Sequence, residues 1–191
     1  MTMATPRRDA ARTRLQILEA ARSLVAAGET PALNTVAHAA DVGVGTVYRH
    51  FATVAELEEA LVWDRFDALA TILRQAGPEH LDQALSAHFR LLVEDSLFEK
   101  VVSRQEAVLE RTTQLQTALI EDLGTLMQRA AALGHLRPDV GPTQVLLLLC
   151  GIAHAARTAS MASDDPDSSL MLQVVLEGLR PDQAGTGHPV A

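Results

Sequence analysis

A chain of 191 residues with 48% hydrophobic content and a formal net charge of −8 is long enough for a small domain beside a larger one with its own core. Its single cysteine, Cys150, excludes an intrachain disulfide. The longest apolar run, Val145–Ala156, is twelve residues, short of the about twenty that cross a bilayer, and the charged amino end lacks the apolar stretch of a secretion signal, so a cytoplasmic protein without membrane contact is expected.

The first element is a helix over Arg14–Gly28, which places Leu15, Leu18, Ala21 and Leu24 or Val25 on one face and ends on Gly28. Upstream, Arg7, Arg8, Arg12 and Arg14 cluster; they read as a basic arm for phosphates or the minor groove, or as a solvated tail. Asn34–Phe51 then carries two short helical patterns separated by a turn. Asn34 is suited to cap the first, and Val36, Ala37 and Ala40 fall at core spacing. Asp41 tolerates the left-handed conformation a tight corner needs, Val42 plugs the corner and Gly43 caps the second helix. Val47 and Phe51, four apart, form that helix's buried stripe. Val44, Gly45, Thr46, Arg49 and His50 face outward, with Tyr48 at the flank. A hydroxyl, a phenol, a guanidinium and an imidazole on seven residues supply groove and phosphate contacts, so the segment reads as a helix-turn-helix DNA reader.

Ala40–Phe51 reads Ala-Asp-Val-Gly-Val-Gly-Thr-Val-Tyr-Arg-His-Phe. It resembles the reader of the TetR family of bacterial transcriptional regulators, whose pattern runs Ala-Gly-Val-Ser-x-Gly-Thr-Leu-Tyr-x-His-Phe. Asp41 stands in place of the usual turn glycine, Gly43 in place of serine, and Val54 in place of a basic residue that typically meets a phosphate at the start of helix four. The missing charge implies one phosphate contact fewer and a salt dependence shallower by about one counterion. The resemblance covers residues 12 to 61 closely. It implies an all-α, TetR-like fold of about nine helices, a homodimer on a palindromic operator, and release from DNA by a small-molecule effector held among helices five to eight. The DNA contacts expected are Thr35, Gly43, Val44, Gly45, Thr46, Tyr48, Arg49, His50 and Thr53, with Arg7, Arg8 and Arg12 added from the basic cluster. A weaker likeness lies at Ala132–Val140, near a Gly-x-Leu-Arg-x-Asp-Val element of one subgroup that shares the Gly-x-Gly-Thr-Val-Tyr-Arg-His-Phe reader.

Charge divides the chain in the same way: residues 1–53 hold six arginines against four acidic residues, and residues 54–191 hold ten basic residues against twenty acidic ones. The acidic body confines duplex contact to one small face. Residues 1–53 are thus expected as the DNA-binding domain, 54–180 as the helical ligand-binding and dimerisation domain, and 181–191 as a disordered tail. Helices are predicted near 54–76, 79–98, 101–108, 110–133, 142–163 and 167–179. The helix carrying Val145–Ala156 is apolar on nearly all sides, which favours cover by a partner subunit over burial within its own domain. Gly151, Ala153, Ala155 and Ala156 would admit a close helix, and Leu170, Leu172, Val174, Val175 and Leu179 offer a second apolar surface.

Candidate effector residues are Trp63 and Phe66, three apart, which either line a cavity or belong to the core; Arg104, for which surface solvation is the alternative, as for Glu106; and His88 and His154 on apolar helices, where structural histidines are common. None has metal-ligand spacing, and no cofactor is expected. Cys150 in its apolar run reads as a small hydrophobe rather than a redox sensor. No nucleophile with a base, phosphate loop or apolar carboxylate pair is legible, so no enzyme is expected.

Overall fold

The computed structural model describes residues 6–181, with side chains from Arg8 onward. Ten α-helices follow in chain order: α1 (Pro6–Ala26), α2 (Leu33–Ala39), α3 (Val44–His50), α4 (Val54–Leu61), α5 (Trp63–Gln75), α6 (Leu81–Glu94), α7 (Ser96–Val102), α8 (Glu110–Ala132), α9 (Pro142–Thr158) and α10 (Pro166–Gly178), with a 3-10 turn at Pro78–His80. No strand occurs among the described residues. Residues 182–191, most of the expected tail, lie outside them, as does the Arg7 side chain.

The chain forms two compact units. The first ends at Asp64 and takes back Gln105–Thr113; the second comprises Arg65–Arg104 and resumes at Gln114. The first unit therefore extends past residue 53, and buried contacts show why. The Glu59 carboxylate, fully buried, accepts hydrogen bonds from the amides of Val108 (2.7 Å) and Leu109 (2.9 Å). Trp63 Nε1 donates to Thr112 Oγ1 at 3.0 Å, and the Arg111 guanidinium lies 4.5 Å over the Trp63 ring.

In the first unit α1 packs on α2 and α4, and α2 on α3. Ile17, Leu18 and Ala21 turn inward, whereas Leu15, expected on that face, is 64% exposed: the inward stripe begins at Ile17 and continues through the half-buried Leu24 and Val25. Asn34 does not cap α2, since the helix starts at Leu33 with Ala32 as its N-cap and no side-chain bond. Burial of Leu33 pulls the helix start forward. Three helices close through a left-handed residue, as anticipated for Asp41 (φ +51°) and likewise at Gly28 (φ +80°) and Gly134 (φ +75°). In each, paired amide bonds turn back onto the last helical carbonyls, as from Asp41 to His38 and Val42 to Ala37.

The second unit is built by α6 on α9, with α7 against α6 and α10 against both. One face of α8 is buried through Leu119, Leu123, Leu126, Met127 and Ala130. Several expected helices differ. The 54–76 helix is interrupted at Val62, where no glycine or proline marks the break. The 79–98 helix is cut at Asp95, whose carboxylate caps α7 by accepting from the amides of Leu97 and Phe98. No helix forms over 103–109, where the Val108 and Leu109 amides are instead bound by Glu59. Helix α9 stops at Thr158, since Ser160 turns left-handed (φ +57°). Of the small α9 residues expected to admit a partner, Ala153 and Ala156 are fully buried within the chain, and Gly151 and Ala155 remain exposed.

Candidate functional site

Helix α3 is fixed from beneath. Val47 is fully buried and Phe51 nearly so, which sets the rotation of a helix too short to be stable alone. Gln16 Nε2 donates to the Ala40 carbonyl at 2.7 Å, holding the corner to α1. Arg14 Nη1 donates to the His50 carbonyl at 3.4 Å while its guanidinium sits 4.3 Å over the Phe51 ring. Burial, then the nearby Arg111, pulls the Arg14 pKa below the usual guanidinium value, with Glu56 opposing. Arg14 thus belongs to the scaffold of α3, not to an arm. Because α1 begins at Pro6, Arg8 and Arg12 are exposed helical residues rather than a flexible extension.

With that rotation set, Val44, Gly45, Tyr48 and Arg49 are exposed and Thr46 and His50 half-buried. Gly43 is the N-cap of α3, and Thr35 is exposed on α2. Thr53 is the N-cap of α4: its Oγ1 accepts from the Glu56 amide at 3.2 Å, and Glu56 Oε2 accepts from the Ala52 amide at 2.7 Å, a reciprocal cap. Asn34, Tyr48, Thr53 and Val54 line one shallow groove of about 310 Å³. No cationic side chain is among its lining residues. Asn34, read from the sequence as a cap, is brought to this groove; only its closeness to Tyr48 in space reveals that.

The second unit contains an apolar cavity of about 200 Å³ lined by residues of α5 to α9, among them Phe66, His88, Gln116, Leu119, Thr143, Leu146 and Cys150. Phe66 meets Phe98 edge-on, ring centroids 5.1 Å apart, and His88 sits 6.3 Å from the same ring. His88 is buried, its Nε2 has no hydrogen-bond partner, and burial pushes its pKa down to about 4. Burial, then Glu99, raises the Cys150 thiol above its ordinary value, which favours the protonated thiol.

Of the five candidate effector residues, Phe66 and His88 share this cavity. Trp63 is held in the first unit by Thr112 and Arg111. Arg104 is half-buried but is not a lining residue. His154, on the apolar helix α9, points outward with its side chain 72% exposed and its Nδ1 3.4 Å from Glu99. Gln116 and Thr143 were missed in the sequence, where polar residues on amphipathic helices read as solvated. A larger recess of about 530 Å³ includes Asp82 and Arg180, 3.5 Å apart, which neutralise each other.

Residues 78–181 match the C-terminal domain of SbtR-like transcriptional regulators. The chain belongs to the TetR family of transcriptional regulators. No curated protein matches it. Among solved structures, a TetR transcription regulatory protein from Mycobacterium vanbaalenii is 28% identical, with 93% of this chain and all of that one covered and a TM-score of 0.53. SmeT, the repressor of the Stenotrophomonas maltophilia multidrug efflux pump SmeDEF, is 23% identical over 99% of this chain and 98% of its own, TM-score 0.57. RolR in complex with resorcinol is 18% identical over 91% and 90%, TM-score 0.65. This TetR-family regulator thus shares its all-helical architecture with proteins of low sequence identity. No helix among its described residues is long and apolar enough to cross a membrane.

Proposed function

We propose that this TetR-family regulator is a repressor that binds a palindromic operator as a homodimer and is released by a small-molecule effector, with no catalytic activity of its own. The observation that carries the reading is the division of α3: Val47 and Phe51 are locked in the core while Val44, Gly45, Tyr48 and Arg49 face out. Those outward groups, with the half-buried Thr46, suit a major-groove helix, Val44 and Thr46 for base edges and Tyr48 and Arg49 for phosphates. The exposed apolar faces of α9 and α10 favour a second copy of the chain as partner, and two identical readers call for two half-sites. An apolar pocket in the second unit gives an effector a place to bind. Two similar proteins support the pairing of the two activities: SmeT is described as a repressor and RolR in complex with resorcinol.

The test is an electrophoretic shift with DNA selected from a random pool by the purified protein. Tyr48→Ala should weaken binding on all sequences alike, because a phosphate contact carries no sequence information. Val44→Ala or Thr46→Ala should instead change the preferred sequence, base-edge contacts discriminating by about 1–3 kcal/mol each. Absence of any selected sequence would overturn the regulator reading.

A further inference from the structure

The cavity in the second unit constrains what enters it. Its lining is mostly aliphatic and aromatic, and no Asp, Glu, Lys or Arg is among its residues. A ligand carrying a full charge would be buried there without a counter-charge, at a cost few small molecules can offset. The pocket is open on one side, with the exposed Leu147 in its rim; its volume of about 200 Å³ is close to the roughly 150 Å³ that holds a benzene ring in an apolar protein cavity, so one ring with one or two small substituents fits within it. One defect stands out in the lining: His88 Nε2 is fully buried and lacks a hydrogen-bond partner, and buried polar groups are otherwise almost always paired.

We propose that the effector is an uncharged molecule of about single-ring size bearing a hydroxyl that hydrogen-bonds His88 Nε2, so that His88 is the specificity-determining residue of the cavity. This rests on the reading of the cavity as the effector site. A hydroxyl is the fitting group because it serves whichever form the imidazole takes, donating to a bare nitrogen or accepting from a protonated one. His88 is held neutral by its burial, so a carboxylate ligand finds no imidazolium to pair with. Phe66 and Leu119 supply the apolar walls that select the ring.

The experiment titrates the full-length protein at pH 7 with three para-substituted toluenes: p-cresol, p-xylene and the charged 4-methylbenzoate. Binding of p-cresol about tenfold tighter than p-xylene is expected, the ratio of one net buried hydrogen bond, with 4-methylbenzoate not binding. In His88→Leu the preference for p-cresol over p-xylene should vanish while p-xylene still binds, and in His88→Gln part of it should return. Should both variants fail to fold, the ring-nitrogen NMR signal of His88 in the unaltered protein must move on adding p-cresol and stay put on adding p-xylene. Equal binding of 4-methylbenzoate and p-cresol, a cresol preference that survives His88→Leu, an unmoved nitrogen signal, or no binding of any of the three overturns the proposal. The regulator reading fails separately: p-cresol binding through His88 in a protein that selects no DNA would overturn that reading and leave the cavity chemistry standing.

Discussion

At the scale of single residues, His88 is the group whose titration the fold disturbs most visibly. Its pKa is near 4 when buried and about 6.5 in an unfolded chain. Between those values the unfolded chain binds the proton that the folded one refuses, so folding weakens as pH falls from about 6.5 towards 4 and is unaffected by this group above that window. The loss attributable to it approaches about 3 kcal/mol. Urea midpoints across pH 4–7.5 for the protein and for His88→Leu should converge in slope above pH 6.5 and diverge below it, the variant being the flatter; parallel curves would mean that His88 is charged while folded. A histidine on an apolar helix was visible in the sequence, but its lack of a partner was not, since that depends on Phe98 and the cavity rather than on neighbours in the chain. The opposite held for Asp41, Val47 and Phe51, whose conformation and burial follow from local spacing alone. His154 shows the limit of such spacing: it shares α9 with four fully buried residues yet faces outward, because an apolar run does not say which side meets its own core.

Among the elements, the stops were more legible where the chain itself carries the conformation. Gly28 and Gly134 end their helices as glycine does, and Asp95, a good N-cap residue, could have been read as the start of α7. Ser160 gives little warning, and Val62 none, since the break between α4 and α5 coincides with tertiary bonds formed by Glu59 and Trp63. Glu59 is therefore the residue to perturb. Glu59→Gln keeps the shape but turns one acceptor into a donor facing an amide of Val108 or Leu109, which should cost about 2 kcal/mol of stability. Trp63 is the only tryptophan and hydrogen-bonds Thr112 within the first unit, so its fluorescence during urea unfolding reports that unit directly. A change below about 0.5 kcal/mol would show that water replaces the carboxylate and that the 105–113 segment is held by other contacts.

For the molecule as a whole, the decisive surface is the one that a single chain leaves bare. Leu147 and Leu148 on α9 are 67% and 49% exposed, and Leu170 and Val174 on α10 are 56% and 61% exposed, while Val145, Leu149, Ala153 and Ala156 line the opposite, buried face of α9. Isolated exposed leucines are ordinary, but four large apolar side chains on two packed helices form the kind of surface a partner covers, and Gly151 and Ala155 keep its centre low. A self-complementary face of this sort favours a two-fold dimer, in which each substitution acts twice. Leu147 also lines the apolar pocket, so changing it would confuse assembly with effector binding. Leu148→Glu combined with Val174→Glu avoids that. Sedimentation at micromolar concentration should give twice the 20.5 kDa chain mass for the unaltered protein and the single mass for the double variant, with helical content unchanged. Operator affinity should then fall far more than for Tyr48→Ala, since a lone reader forfeits the second half-site and the effective concentration that links the two. A 20.5 kDa species for the unaltered protein, or a monomeric variant that binds the operator as tightly as before, would sink the dimeric reading and leave this apolar face without its partner.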